Sequence, residues 1–201
     1  MARSERTYAG STLEVRREQR RAALVEATLD LVGEGGSSAV SVRSVCRAAG
    51  LTDRYFYESF ASRDELLVAV FDEVSAEMYA TASRVIDEVG GTPRDKARAS
   101  LMALVLLTSD DPRKGRMLLR EPLSESALIA AGMTGAPTMT RMLAQNFPGP
   151  GTGAERAMRA VAVGGAIATL FATMQLGNLH VTIEELVEFC VDLIAPLPDD
   201  A

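Results

Sequence analysis

The stretch "SVRSVCRAAGLTDRYFYESFASRDELL", Ser41 to Leu67, holds Tyr55, Phe56, Tyr57 and Phe60, in a chain with only 4 Tyr, 6 Phe and no Trp. Ser41 is a suitable N-cap for a short helix, "VRSVCRAA", in which Val42, Val45 and Ala49 recur at helical spacing. Gly50 ends it, because glycine enters the left-handed region without penalty. Thr52 then stands as the cap of a helix from Asp53 to Phe60, and Ser62 with Glu65 has the capping-box spacing that opens a longer one. Two short helices around a tight glycine turn have the helix-turn-helix plan, here about 41–60, whose second helix enters the DNA major groove. Phe56 and Phe60 are four apart and share the face that turns toward the preceding helices. Asp53, Arg54, Tyr55 and Tyr57 are left nearer the outward side, where hydroxyl and guanidinium donors suit a phosphate-rich surface.

Helical signals continue on both sides of this stretch, and no segment alternates with period two. A first helix is predicted over about Arg17 to Val32, with Leu24, Ala27 and Leu31 on its apolar face and Gly33, Gly35 and Gly36 as its stop. After the capping box a long helix runs from about Arg63 to Val89, carrying Leu66, Val70, Phe71, Val74, Met78 and Val85. Thr92-Pro93 starts another, ending near Thr108, and Asp111-Pro112 starts a short one ending near Arg120. Gly132, Gly135 and Pro137 predict two pieces or a kinked helix within 121–147. Capping boxes at Thr152 with Glu155 and Thr182 with Glu185 open the last two helices, about 153–176 and 182–194. The expected fold is all-α, with about nine helices: an N-terminal arm and helix-turn-helix domain over 1–62, and a second helical domain over 63–201.

The chain of 201 residues is long enough for a sizeable core, and its 47% hydrophobic and 24% charged residues are ordinary for a soluble globular protein. Arg3, Glu5 and Arg6 do not form the layout of a signal peptide. The run from Ala160 to Ile183 has no charged residue, but Gly164, Gly165, Thr169 and Thr173 interrupt it; it is expected to be buried against protein and not to span a membrane. Two cysteines, Cys46 and Cys190, exclude a disulfide framework, and one histidine, His180, removes most metal and triad chemistry. No metal and no cofactor is expected, and a reducing cytoplasm is the expected compartment. The net charge of −6 hides a division: residues 1–63 carry ten Arg against eight Asp or Glu, net +2, leaving −8 for the remainder. Arg16, Arg17, Arg20 and Arg21 form a basic cluster in the positive part, either a solvated helix end or a surface for an anion.

The segments "LVEATLDLVGEGG" and "SVRSVCRAAGLTDRYFYESFASRDELL", with their spacing, resemble the tetracycline-repressor (TetR) family of bacterial transcription regulators. The resemblance covers about residues 17–70. It implies a dimeric, sequence-specific regulator of transcription, a repressor released from its operator by a small effector. It implies that Arg43 and Thr52 lie near the DNA backbone and that Asp53, Arg54 and Tyr55 face bases or phosphates. Tyr57 would touch a phosphate, as would Arg63, which stands where the family usually has lysine. Ser59 occupies a position often held by His or Tyr, and Arg54 one often held by glycine. Asp53 either stabilises the N-terminus of its helix or accepts from a cytosine amino group.

Family architecture further implies an effector site between the later helices and a bundle made by the last two helices of each subunit. Met78, Met102, Leu106, Met117, Met139, Met142, Phe171 and Met174 are the expected lining of an apolar effector site, methionine being soft and adaptable. Ala160, Gly164, Gly165 and Ala168 are the expected dimer contacts, since small residues let a partner backbone approach. The expected partners are therefore double-stranded operator DNA, a small molecule and a second copy. Two other classes stand beside this reading. A small helical enzyme would need a nucleophile or carboxylate pair that the sequence does not supply; a helical adaptor would bind protein through the hairpin. Cys46 reads as buried filler, and "GPGTG" at 149–153 lacks the strand of a phosphate-binding loop.

Overall fold

Helix start signals decide most of the architecture. The structure is a computed structural model; it describes residues 5–147 and 149–196, and only the backbone of 5–11. The helices are α1 (Glu5–Gly35), α2 (Val42–Ala49), α3 (Asp53–Tyr57), α4 (Arg63–Glu88), α5 (Pro93–Asp110), α6 (Pro112–Leu119), α7 (Ser126–Asn146), α8 (Gly153–Gln175) and α9 (Ile183–Ile194). Single 3-10 turns lie at Ser37–Ala39 and Glu121–Leu123. There is no strand among the described residues, so the all-α expectation holds.

The caps behave largely as their chemistry dictates. The Ser41 hydroxyl accepts from the Ser44 N–H while Ser44 reaches back, closing a box at the start of α2. Gly50, at φ 65°, ends α2 with the Leu51 N–H bonded to the Cys46 carbonyl at 2.9 Å. Thr92 with Asp95, Thr152 with Glu155 and Thr182 with Glu185 each form a reciprocal box, and the Asp111 side chain caps α6. At Ser62 the box is only half formed. Its hydroxyl accepts from Glu65, but the Glu65 carboxylate takes the N–H of Ala61 at 2.6 Å, one residue earlier.

Four expectations need correction. First, α1 starts at Glu5 and passes through Gly33 and Gly35, stopping where Gly36 turns to φ 77°. Among the residues it adds, Leu13 and Val15 are exposed. The expected N-terminal arm is thus helical from Glu5, and its residues 1–4 lie outside the described residues. Second, α3 closes at Tyr57 and not at Phe60, although the Phe60 N–H still donates to the Phe56 carbonyl. Third, α7 is one helix with Pro137 inside it, preceded by the 3-10 turn. Fourth, α8 is open in the single chain: only Ala160 and Ala172 are buried, although its length and composition would suffice to cross a membrane.

Two cores result. The first joins α1–α4 to α6 and α7 around Leu24, Val32, Val45, Phe56, Leu66, Leu67, Val70, Met117 and Leu128. The second joins α5 to α9 through Ala97, Leu101, Val105, Leu186, Val187, Cys190 and Val191, flanked by partly buried side chains of α8.

Candidate nucleic-acid interface

The face of the helix-turn-helix is set from beneath. Phe56 is fully buried, and Phe60 is tilted against it at 6.0 Å between ring centroids. Burial of the Phe56 ring fixes the rotation of α3, so its neighbours in sequence must face away. Tyr57 rests edge-on against Phe56 at 5.3 Å and is 61% exposed. The Arg54 side chain is 84% exposed, its Nε bonded to Glu58 at 3.1 Å. Arg43 is exposed on α2, and so is Arg47 four residues later on the same face. Arg47 was missing from the sequence-based set; its spacing from Arg43 was the signal that could have found it.

Other members of that set are placed differently. Thr52 is exposed at the start of α3, but its hydroxyl makes no cap hydrogen bond. Asp53, also exposed, is close enough to Cys46 to act on it: burial first, then this carboxylate, pushes the thiol above its ordinary value. That agrees with Cys46 as inert filler. Tyr55 is half-buried under the Arg20 guanidinium, 4.5 Å from its ring centroid. Ser59 lines a shallow groove with Glu14, Arg17, Glu18 and Arg21, where two carboxylates offset the arginines.

Three arginines of the basic cluster on α1 are engaged with neighbouring elements, Arg20 and Arg21 half-buried and Arg17 exposed. Arg17 donates to the Glu58 carbonyl at 3.0 Å, and Arg20 lies 3.6 Å from the Glu58 carboxylate. Arg21 bonds Glu73 at 2.6 Å and lies over the Phe60 ring. These arginines tie α1 to α3 and α4, and Arg16 stays exposed. Arg63 does not project from the start of α4. Its guanidinium bonds the carbonyls of Ser37 and Val40 and the carboxylates of Asp64 and Glu125.

The eight residues expected around an effector do not gather in one place. Met117 is fully buried in the first core, and Leu106 on α5 is 56% exposed. Met102, Phe171 and Met174 are partly buried against the second core. Met78 on α4 and Met142 on α7 are partly buried as well. A cavity between α7, α8 and α9 is lined by Leu143, Phe147, Arg159, Ala160, Val163 and Ile194, among others. At about 20 Å³ it is room for roughly one water, and none of the eight expected residues lines it.

The small residues of α8 divide by face. Ala160 is buried within the chain, and a side chain at Gly164 would come within 3.2 Å of Met139 on α7. Gly165 and Ala168 lie on the open side, where a Cβ at Gly165 would meet nothing within 4 Å. Met158 and Val161 are exposed on α8, and Phe189 is exposed on α9.

Residues 24–70 match the profile described as "Bacterial regulatory proteins, tetR family". Among curated proteins, the chain is 30% identical over 80 residues to the HTH-type transcriptional regulator BetI of Rhizobium meliloti (strain 1021), covering 40% of this chain and 39% of that one. The match therefore spans well under half of that relative's length. Among solved structures, a TetR-like transcriptional regulator from Rhodococcus sp. RHA1 superposes with a TM-score of 0.64 at 17% identity, over 89% of this chain and 93% of that one. The regulator FadR from Bacillus subtilis, solved in complex with stearoyl-CoA, superposes with a TM-score of 0.69 at 14% identity, over 88% and 99%. At such identities the likeness is one of fold.

Proposed function

We propose that this chain, a tetR-family protein by its residues 24–70, is a dimeric sequence-specific DNA-binding repressor released from its operator by a small apolar molecule. The observation that carries the reading is the face of α2 and α3. Arg43, Arg47, Arg54 and Tyr57 are presented to solvent there by helices whose other side is fixed through Phe56. Arginine forks and a tyrosine hydroxyl serve phosphates and base edges alike, and in a helix-turn-helix the second helix is the one that enters the major groove while the first crosses the backbone. Thr52 and Asp53 stand at the entry of α3, and Asp53 acts chiefly on the local structure beside Cys46. The domain division at about residue 62 is kept, with the first core reaching across it through Met117 and Leu128.

A monomer reads only a few base pairs, so a second copy completes the site. The open side of α8, with the exposed Gly165, Ala168 and Val161, is proposed as the dimer face, together with the exposed Phe189 of α9; Ala160 and Gly164 serve packing within the chain. The effector is proposed to enter between α5, α8 and α9, at Met102, Phe171 and Met174, by displacing partly buried side chains. The stearoyl-CoA bound by FadR of B. subtilis supports an apolar chain as the class to test first.

The test is a gel-shift titration with duplexes from the DNA flanking its own gene. Wild-type protein is expected to bind selectively and ever more weakly as salt rises. Arg54→Ala is expected to lose roughly tenfold or more in affinity and relax the sequence preference. Unchanged selectivity in the doubly substituted Arg54→Ala, Tyr57→Ala protein would defeat the assignment.

A further inference from the structure

The segment from Gly33 to Val40, which leads α1 into the helix-turn-helix, is clamped from two directions. From the α6–α7 side, the Glu121 carboxylate accepts the Ser37 N–H at 2.7 Å and the Arg116 Nε–H at 2.9 Å, and Arg116 also donates to the Gly33 carbonyl at 3.2 Å. From α4, Arg63 donates through Nε to the Val40 carbonyl at 2.9 Å and through Nη2 to the Ser37 carbonyl at 2.8 Å. The same Nη2 reaches Glu125, the residue before α7, at 2.8 Å, and Nη1 reaches Asp64 at 2.9 Å. One Nε–H, two Nη2–H and one Nη1–H are thus engaged, four of the five donors a guanidinium owns. The Arg63 side chain is 29% exposed and that of Glu125 17%.

We infer that Arg63 is a positioning residue and not a phosphate contact: it braces the entry of the helix-turn-helix against the start of α7 and so sets the pitch of α3. The inference rests on the DNA-binding reading above and departs from the role that the family resemblance gives this residue. Nη1 keeps one free donor and gives its other to the exposed Asp64, so a phosphate could reach that edge alone. To take Nε or Nη2 it would strip the Val40 carbonyl and a largely covered carboxylate of this donor and leave the Ser37 carbonyl with only the Val40 N–H. Unpaired covered acceptors cost more than one exposed phosphate contact returns. The brace gives α7, beside the α6 clamp through Arg116 and Glu121, a route by which movement in the later helices is felt at Ser37 and Val40.

Arginine and lysine separate the two roles. Lysine supplies a point charge that serves a phosphate well, but it lacks the fork that spans two carbonyls and a carboxylate. The probe is a duplex enriched by the wild-type protein from a random library, with versions carrying one base pair more or fewer at its centre. Binding is measured over a salt series, well below each variant's unfolding midpoint. Arg63→Lys is expected to bind roughly tenfold more weakly and to lose part of the preference among the three spacings. Arg63→Ala is expected to keep the wild-type slope of log K against log salt. Glu125→Gln is expected to weaken binding even though it removes a negative charge.

The inference is overturned by wild-type affinity in Arg63→Lys, by tighter binding in Glu125→Gln, or by a slope reduced by about 0.9 per chain in Arg63→Ala. If the wild-type protein enriches no duplex, it is the DNA-binding reading that fails. The brace is then decided by urea unfolding of Arg63→Ala, Glu125→Ala and the double variant. A double variant no less stable than the worse single one supports it, and additive losses overturn it.

Discussion

The core around Phe56 and the core around Val187 are built on different plans. Among the described residues, the first has eighteen buried members against seven partly buried ones, with large rings and branched chains interlocked between α1, α4 and the helix-turn-helix. The second has seven buried members against nine partly buried, among them Met102, Phe171 and Met174. A face that must meet DNA in one register benefits from a substructure that does not rearrange. Under the proposed function, helices that take an apolar ligand and a second copy would benefit from surface left half-covered. Polar joints serve both cores: around Gly33–Val40 they run through partly covered carbonyls, and between α5 and α9 Arg94 bonds the Ala195 carbonyl while Arg98–Glu188 and Arg94–Asp192 are pairs whose carboxylates stand in solvent.

The difference between the cores is open to direct attack. Phe56→Ala is expected to cost about 3–5 kcal/mol in urea unfolding and to abolish DNA binding, since the ring is fully buried. Phe171→Ala, at a partly buried site, is expected to cost less than about 2 kcal/mol; an equal loss at both positions would erase the distinction. Glu121 gives an intermediate effect that depends on pH. Burial alone would raise its carboxyl, but hydrogen bonds from Arg116 and Ser37 prevail and hold it below its ordinary value of 4.5. A depressed folded-state value stabilises the protein at neutral pH, where the carboxylate is charged in both states. That contribution declines as pH falls below 4.5 and through the lower folded value. Glu121→Gln should therefore be less stable than wild type by about 1–3 kcal/mol at pH 7. The gap should narrow in acid, as urea midpoints across the pH range would reveal; a constant gap would mean that its charge is immaterial. Gly165→Leu should leave the unfolding midpoint within about 0.5 kcal/mol of wild type while lowering the sedimenting mass toward that of one chain. Gly164→Leu, pressed against Met139, should instead disturb the fold.

Reading the sequence succeeded where the determinants are local. Ser41, Gly50, Ser62 and the four-residue spacing of Phe56 and Phe60 act within a turn or two of themselves, and they place the helix-turn-helix nearly to the residue. Four features resisted because their causes are distant or silent. Leu13 and Val15, ahead of the predicted start of α1, are exposed, so no apolar stripe announced that stretch. Arg63 reads as a cation at a helix start, and nothing local shows that folding brings up Glu125, 62 positions away, and Ser37, 26 away. Met117 and Leu106 are both apolar residues on helices behind the headpiece, yet one is sealed in the first core and the other faces solvent. Composition could not separate them. The sequence could not sort the small residues of α8 either: a run without charge carries no mark of which side meets α7 and which stays open.

The central claim is that α2 and α3 present a surface for reading duplex DNA from two copies of the chain. The most direct measurement is selection of bound duplexes from a random library by the purified protein, followed by sequencing and by the stoichiometry of the complex. The account predicts one twofold-symmetric motif, bound by an even number of chains and released as salt rises. Recovery of no motif, or binding indifferent to salt, would contradict it.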